Sequence, residues 1–229
     1  MGRNSSGQDK IVVGITTYKR PDCLLALTKR LKELHDCIIV VYDDCGRVQI
    51  DSTYIDHLIN GYRHNGKKGY WRSVNKLWFY VKKYNPTIYI NLVDDLLPND
   101  NFFDCIDIFK RIDDNAKIAM HLANNGRTRN WTNFDRVSFN DEVFKTQTTE
   151  QSFICYPEFI SRPIPKIPLS RWRFNENLGS GVGAELNTYW VSRKKTIFGV
   201  KESLITRNDN CDESMMNPEE RKLNPWQVL

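Results

Sequence analysis

The chain has 229 residues, a hydrophobic share of 40% and a formal net charge of +5. Its length fits one large domain, and no apolar run reaches the roughly 18 to 20 residues that span a membrane. The first ten residues are polar and contain no signal-peptide core. Composition therefore favours a cytoplasmic protein. Its mildly basic charge suits an acidic partner such as a nucleotide, a phosphorylated glycan or nucleic acid, although an ordinary basic surface would give the same composition.

Six cysteines are scattered along the chain without a C-x-x-C pair. Several lie in apolar runs, where free cysteine packs as a small hydrophobic residue. We therefore expect reduced thiols in a cytosolic protein, rather than a disulfide framework or a zinc site.

Apolar strands and amphipathic helices alternate over the first half of the chain. The expected strands are 10–16, 37–42, 87–93 and 116–120. They are apolar runs of the kind that parallel sheets bury on both faces. Helices are expected from Pro21, over 70–84 and over 102–112, because apolar residues recur there at three- and four-residue spacing. This alternation predicts an α/β fold with a doubly wound, mostly parallel sheet.

The alternation ends after the fourth predicted strand. Residues 124–136 are polar and aromatic without a period, and 153–174 form a basic, proline-containing segment, so we expect both to be extended or loop-like. A strand is expected over 186–191 and a short helix over 192–198. From residue 211 onward we expect a short helix and a tail. The C-terminal part is therefore predicted to be mixed and rich in loops.

Two adjacent carboxylates, Asp94 and Asp95, directly follow the third predicted strand. Charges at the end of a buried strand cost desolvation free energy unless they are paired, and ligands of α/β folds bind at that end. Two Asp side chains suit a hard divalent cation that shares its oxygen ligands with a diphosphate. The alternative is a pair that caps the following helix, although Asn99 or Asp100 could cap that helix without them.

The ends of three predicted strands carry polar groups. Hydroxyl, aromatic and basic side chains occupy 16–21, Asp43 and Asp44 end the second strand, and Asp94 and Asp95 end the third. Because the carboxyl ends of parallel strands lie at one edge of a sheet, we expect these groups to line one crevice.

Four segments in this order resemble motifs of the family-2-like glycosyltransferases of the GT-A fold. Residues 17–21 resemble T-Y-x-R-P, 40–46 resemble V-V-x-D-D-x-S/G, and 65–75 resemble N-x-G-x-x-x-A-R-N. Residues 92–98 take the place of the D-x-D motif that holds the metal and the sugar nucleotide. The resemblance covers about residues 10–120 and weakens after that.

The resemblance implies a role for each matched residue. Asp95, with Asp94, would hold Mn²⁺ or Mg²⁺ against the diphosphate of a nucleotide sugar, UDP-sugar above all, so that the metal acts as a Lewis acid. One departure is Leu92, which stands where the first Asp of D-x-D is usual. The residues implied to contact the nucleotide sugar are Thr17, Tyr18, Arg20, Asp43, Asp44, Lys68, Gly69, Arg72 and Asp94.

Structural roles stay open for several of these residues. In a purely structural role, Arg20 would be a solvated charge at a helix start, and Lys68 would belong to a solvent-exposed loop. Asp43 or Asp44 would form a turn before Gly46.

The catalytic base is expected in the C-terminal half, where inverting relatives place a carboxylate that takes the acceptor proton. The candidates are Asp212 first, then Glu185 and Glu213, with surface carboxylates as the alternative for each. Many relatives have a late His in the metal shell. Arg207 or Asn208 appears in its place here, and a cation there could neutralise the diphosphate.

The predicted function is that of a metal-dependent hexosyl- or pentosyltransferase (EC 2.4). Residues 1–229 would be one domain, with a nucleotide-sugar half at 10–120, an acceptor half at 121–210 and a tail at 211–229. The acceptor is either a polyanion, such as hydroxymethylated bases of viral DNA in a host cytoplasm, or a surface glycan or protein. The DNA alternative depends on basic and aromatic residues that can hold phosphates and bases. They are Arg127, Arg129, Trp131, Arg162, Lys166, Arg171, Trp172 and Arg173.

Two other function classes are considered. A nucleotidyltransferase also uses paired Asp and a metal, but it usually has a glycine-rich loop after the first strand, and 16–21 contains no glycine. A non-catalytic nucleic-acid-binding module would keep its binding after Asp94→Asn and would bind no divalent metal. Sugar, stereochemistry and oligomeric state are not determined by the sequence.

Overall fold

The structure is a computed structural model that describes residues 9–44, 46, 48–63, 65–124, 137–146, 152–166, 182–208 and 210–211. Of residues 66–68 and 184 it describes the backbone only. None of the helices described there combines the length and the apolar composition needed to cross a bilayer.

Eleven strands are present in the described part of the chain. They are β1 (Ile11–Thr17), β2 (Ile38–Asp43), β3 (His57–Asn60), β4 (Ile88–Val93), β5 (Leu96–Pro98), β6 (Lys117–His121), β7 (Val137–Ser138), β8 (Val143–Thr146), β9 (Phe153–Cys155), β10 (Thr196–Val200) and β11 (Ile205–Arg207). Nine of them form one sheet in the order β3-β2-β1-β4-β9-β6-β10-β8-β7, and β5 pairs with β11 in a small second sheet. The first four strands of the large sheet are mutually parallel, whereas β9 runs antiparallel to both of its neighbours.

Helices cover both faces of the large sheet. They are α1 (Pro21–Leu34), α2 (Gly66–Lys82), α3 (Asp104–Arg111) and α4 (Val182–Val191), with a 3₁₀ turn at Pro157–Ile160. All seven residues of β1 are buried, so β1 contributes to two hydrophobic clusters. Val13 and Ile15 join the cluster with α1 and α3, while Val12 joins the cluster with α2 and α4. The alternation of side chains along a strand produces this division.

The strand order creates a switch point between β1 and β4. The chain leaves β1 through α1 towards β2 and β3, and it returns through α2 to β4 on the other side of β1. In open α/β sheets the crevice at such a point, outside the carboxyl ends of the strands, is where ligands bind. The ends of β1 and β4 are Thr17 and Val93, so the first residue after β4 is Asp94.

The predicted doubly wound, mostly parallel sheet is confirmed, as are the helix from Pro21 and the helices and strands expected up to residue 121. Leu24, Leu27 and Leu31 are fully buried, as their spacing predicts.

Two predicted elements near the C-terminus are wrong. Residues 186–191 lie in α4 rather than in a strand, and the helix expected over 192–198 is replaced by β10. Leu186 and Trp190 are four residues apart, and both are buried in the cluster below α4. Tertiary burial of this helical face therefore overrides the β-propensity of the segment. Residues 125–136, 167–174 and 212–229, with the predictions made for them, lie outside the described residues.

The cysteine prediction is wrong for two residues, because Cys23 and Cys211 form a disulfide. They are 188 positions apart in sequence, and their Cα atoms lie 6.1 Å apart. No local spacing could indicate this pair, since only the fold brings them together. Cys37, Cys105 and Cys155 are free and buried, and burial raises the pKa of Cys37 to about 12.

Candidate active site

The carboxylate of Asp94 joins the ends of the two central strands. Asp94 is 5% exposed. Its Oδ2 accepts a hydrogen bond from Thr17 Oγ1 at 2.7 Å and a longer one from the backbone N–H of Tyr18 at 3.3 Å. The alternative in which this carboxylate caps the next helix is wrong, because α3 has no side-chain cap. Asp94 instead holds the end of β1 against the end of β4.

Arg20 lies between the two carboxylates of the acidic pair, by which we mean Asp94 and Asp95. Its Nη1 lies 3.2 Å from Asp94 Oδ1 and 3.3 Å from Asp95 Oδ2. Burial raises the pKa of Asp94, while the Thr17 hydrogen bond and the charge of Arg20 oppose that rise and Asp95 adds to it. One guanidinium therefore partly offsets two neighbouring negative charges at the end of β4.

The connection between β1 and α1 determines the position of Arg20. Lys19 has a φ of 56°, which turns the chain sharply after Tyr18. Pro21 then occupies the first turn of α1, where its fixed φ suits a helix start. The carbonyl of Arg20 accepts the N–H of Leu24 at 3.0 Å. The T-Y-x-R-P sequence therefore has a local physical function in directing Arg20 towards the acidic pair.

Asp43, at the end of β2, shapes the neighbouring turn. Its Oδ1 accepts the N–H of Gly46 at 3.0 Å, and its carbonyl accepts the N–H of Gly61 at 2.8 Å. Burial raises the pKa of Asp43, and the Gly46 hydrogen bond opposes this rise. A Cβ at Gly46 would lie 2.8 Å from the backbone nitrogen of Lys19, so glycine permits close approach of the two loops. The turn-forming role considered for Asp43 is thus present in the structure.

Asp44 anchors the start of α2. Its carboxylate accepts hydrogen bonds from the backbone N–H of Asn65 at 3.2 Å, from Asn65 Nδ2 at 2.7 Å and from Ser73 Oγ at 3.0 Å. Ser73 is fully buried and Asn65 nearly so. The interaction places the first turn of α2 beside the carboxyl end of β2, at the same edge as the acidic pair.

The other predicted contacts from α2 are distributed along its first two turns. Gly69 is buried, and Arg72 is half-buried. The hydroxyl of Tyr70 lies 2.8 Å from Thr16 Oγ1, which links α2 to β1 one residue before Thr17. The side chain of Lys68 lies outside the described residues.

The C-terminal part of the chain returns to the acidic pair through β11. Arg207 pairs with Leu96 in the small sheet, and the backbone N–H of Asn208 donates to the carbonyl of Asp95 at 2.8 Å. Asn208 is buried, whereas Arg207 is exposed. The two residues that occupy the position of the late His are therefore next to Asp95 in the fold.

Of the three candidate catalytic carboxylates, only Glu185 lies among the described residues. Glu185 lies in the first turn of α4, which packs against β10 in the other half of the sheet. Asp212 and Glu213 lie outside the described residues.

The acidic pair can bind a divalent cation only as part of a larger ligand set. Among the described residues there is no group of three or more His, Cys, Asp or Glu side chains that could hold a metal. Mg²⁺ is typically held by one or two carboxylates together with substrate phosphates. The donor set fits that arrangement, because the Asp94 carboxylate is buried while the Asp95 side chain is 26% exposed and can meet a ligand.

Comparison with known proteins identifies the fold. No family model matches the chain, and no curated protein matches it in sequence. Among solved structures, the mannosyltransferase PcManGT from Pyrobaculum calidifontis, in complex with GDP-Man and Mn²⁺, gives a TM-score of 0.54 at 13% identity. The glucosyl-3-phosphoglycerate synthase from Mycobacterium tuberculosis gives 0.56 at 13%, and S. aureus TarS gives 0.52 at 13%. The fold is GT-A.

The matches cover most of this chain but less of the others. The match to PcManGT covers 84% of this chain and 55% of PcManGT. The match to TarS covers 86% of this chain and 59% of TarS, and the match to the synthase covers 89% of this chain and 73% of the synthase. The chain thus spans little more than half the length of the first two proteins. At these identities the likeness establishes the GT-A architecture, while the chemistry must be argued from the residues.

Several contacts that build the site were not predicted from the sequence. Thr16, Asn65 and Ser73 lie in the predicted segments 16–21 and 65–75, but their hydrogen bonds with Tyr70 and Asp44 were not predicted, and neither was the Cys23–Cys211 disulfide. A usable signal existed only for Ser73, because a small polar residue next to Val74, Leu77 and Trp78 on a buried helical face needs a hydrogen-bond partner.

Proposed function

We propose that the protein is a glycosyltransferase that moves a hexosyl or pentosyl group from a nucleotide-diphosphate sugar, UDP-sugar above all, to an acceptor hydroxyl. The observation that carries this proposal is the acidic pair at the β1–β4 switch point of a GT-A fold, held by Thr17 and Arg20. Fold likeness and site chemistry agree, because a switch-point crevice with carboxylates and a guanidinium suits a diphosphate and its cation.

The donor would bind along the crevice between the β1–α1 loop and the start of α2. Thr17, Tyr18 and Arg20 supply polar groups on one side. On the other side, Asp43 and Asp44 would face the nucleoside, with Lys68, Gly69 and Arg72 towards the base or the diphosphate. Arg20 can exchange a carboxylate for a phosphate oxygen, because its planar guanidinium binds either group.

Asp95, with Asp94, would hold Mn²⁺ or Mg²⁺, which supplies Lewis-acid stabilisation of the leaving diphosphate when bound. PcManGT was solved with GDP-Man and Mn²⁺, and the mycobacterial synthase with Mg²⁺ and UDP. Asp95 is the more accessible carboxylate of the pair. Asp94 would mainly fix the loop geometry, since its oxygens already accept hydrogen bonds from Thr17, Tyr18 and Arg20.

For the general base we propose Asp212, ahead of Glu185 and Glu213. Asp212 follows Cys211 in the sequence, and the disulfide ties Cys211 to the first turn of α1, three residues after Arg20. Its role would be to take the proton from the acceptor hydroxyl as the new glycosidic bond forms.

The acceptor half would comprise 121–210 of a single domain, followed by the tail. We propose a polyanionic acceptor, for which hydroxymethylated bases of viral DNA in a host cytoplasm are one example, with a surface glycan or protein as the alternative. Arg162 would contribute to such a surface, because it is exposed and its guanidinium lies 4.1 Å from the centre of the Tyr189 ring, which puts a cation beside an aromatic ring. A polyanion would make activity fall steeply with added salt, whereas a neutral glycan would not.

The decisive experiment is a thermal-shift screen of nucleotide sugars with and without Mn²⁺. A donor at about 100 times its Kd adds about 2.7 kcal/mol to the free energy of unfolding. Asp95→Asn should remove the Mn²⁺-dependent part of that gain. Asp100→Asn is the matched control, because Asp100 is an exposed carboxylate that pairs with Arg30 on α1. If no nucleotide or nucleotide sugar stabilises the protein, the proposal is wrong.

A further inference from the structure

The positive charge of this chain is concentrated in one unit of the fold. Between His57 and Val93 there are seven Lys and Arg residues and no Asp or Glu, whereas the whole chain has a net charge of only +5. The remaining residues are therefore slightly acidic. The basic stretch comprises β3, α2 and the connections to β4, with most of its cations on α2. Such an imbalance indicates a surface that meets a negatively charged partner.

The outer face of α2 carries cations around an exposed aromatic ring. Lys76, Phe79 and Lys83 follow at spacings of three and four residues, which places them on one side of the helix. The opposite side is packed into the core. Its buried residues are Val74, Leu77, Trp78 and Val81. We call this stripe together with Lys82, all four residues of which are exposed, the basic face.

The apolar group of the basic face, the ring of Phe79, is unusually open to solvent. Phe79 is 55% exposed, and it is one of the four large hydrophobic residues exposed in the described part of the chain. The Nζ of Lys83 lies 4.7 Å from the centre of the Phe79 ring and 4.4 Å from that of Tyr80. An aromatic ring flanked by lysines is suited to an interface between water and an apolar phase.

Among the described residues, no carboxylate pairs with the lysines of the basic face. Within the described residues, Lys76, Lys82 and Lys83 take part in no ion pair. Lysines elsewhere differ in this respect, since Lys29 lies near Glu33 and Lys110 pairs with Asp9. Within the described part of the chain, the charges of Lys76, Lys82 and Lys83 are therefore not offset by a neighbouring carboxylate.

We propose that the basic face docks on an anionic lipid surface. Lysines near such a surface are attracted to its negative potential, each by about fivefold in binding, and the ring of Phe79 would enter the headgroup region. Duplex nucleic acid is the less suitable partner, because the centre of the face is a phenyl ring without hydrogen-bonding groups for base edges.

The basic face lies towards the edge of the sheet opposite the site. α2 begins next to Asn65, which hydrogen-bonds Asp44 at the carboxyl edge of the sheet, and its last turns lie beside the start of β3, where the rings of Tyr80 and His57 are 5.1 Å apart. Docking on the basic face would therefore not cover the edge that holds the acidic pair. Docking does not depend on the proposed sugar transfer, because it requires neither a nucleotide nor an acceptor.

Co-sedimentation with vesicles tests the proposal directly. We expect the full chain to bind vesicles of phosphatidylcholine with phosphatidylglycerol, to leave pure phosphatidylcholine vesicles unbound, and to dissociate as salt is added. The test variant replaces three lysines of the face and should bind roughly 100-fold more weakly, at about fivefold for each lysine. A matched control replaces three exposed lysines outside the face and should bind as the parent does. The test substitutions are Lys76→Gln, Lys82→Gln and Lys83→Gln, and the control substitutions are Lys10→Gln, Lys29→Gln and Lys110→Gln.

Two further measurements separate the alternatives. Phe79→Ser keeps every charge, and it should weaken vesicle binding severalfold because the ring no longer inserts. Thermal unfolding of each variant shows whether it is folded. Equal binding to both kinds of vesicle, equal loss in the control variant, or binding to duplex DNA without binding to anionic vesicles would overturn the proposal.

Discussion

The Thr17→Val substitution probes the interaction that holds β1 and β4 together at the candidate site. Valine has nearly the shape of threonine, but it cannot donate the 2.7 Å hydrogen bond to the buried carboxylate of Asp94. Hydrogen bonds to charged groups contribute about 1.5 to 3 kcal/mol. Because Thr17 is only 4% exposed, water cannot readily replace the lost donor. We expect the free energy of unfolding to fall by about 2 kcal/mol.

Thr28→Val is the matched control. Thr28 is fully buried in α1, and its hydroxyl donates to the uncharged carbonyl of Leu24 at 2.9 Å. Loss of a hydrogen bond to a neutral acceptor typically costs about 1 kcal/mol. Urea unfolding followed by circular dichroism compares the two variants. Equal destabilisation by both substitutions would refute the view that the Thr17 bond depends on the charge of Asp94.

The effect of Thr17→Val should also depend on pH. Burial raises the pKa of Asp94 in the folded state above its ordinary value of 3.8. Ionisation of Asp94 therefore lowers the free energy of unfolding. This loss is absent at a pH below the pKa of Asp94 in the unfolded chain, and it is complete above the pKa of Asp94 in the folded protein. Without the Thr17 donor, the folded pKa rises further. The loss of stability caused by Thr17→Val should thus be larger at neutral pH than at about pH 3.5. An equal loss at both pH values would contradict a hydrogen bond from Thr17 to the ionised carboxylate of Asp94.

Three further predictions concern the surroundings of the site. Arg20→Gln removes the cation between the carboxylates of Asp94 and Asp95, so the affinity for Mn²⁺ alone should rise at least about fivefold. Electron paramagnetic resonance measures this affinity, and an unchanged value would show that Arg20 does not compete with the metal. Gly14→Ala should destabilise the fold by about 1 to 3 kcal/mol in urea unfolding, because the new Cβ would lie 2.5 Å from the Tyr89 hydroxyl. Reduction of the Cys23–Cys211 disulfide should lower stability by about 2 to 5 kcal/mol, and a melting temperature insensitive to dithiothreitol would contradict the pairing.

Much of the fold could be predicted because its signals are local. A strand buried on both faces must be apolar throughout, so β1, β2 and β4 are recognisable within a residue or two of their bounds. The leucine spacing of α1 likewise reflects a helical face that must be buried. Prediction failed at α4, where aromatic and β-branched residues favour a strand locally, and only burial of Leu186 and Trp190 decides for a helix.

The sequence by itself determined the α/β class, the strand ends and the polar residue types that follow them, because each depends on a few neighbouring side chains. Only the tertiary structure decided which groups meet. Arg20 reaches the acidic pair across more than seventy residues, the N–H of Asn208 finds the carbonyl of Asp95, and Cys23 finds Cys211. These contacts follow from strand order and chain crossing, and no short-range pattern encodes the order in which strands associate.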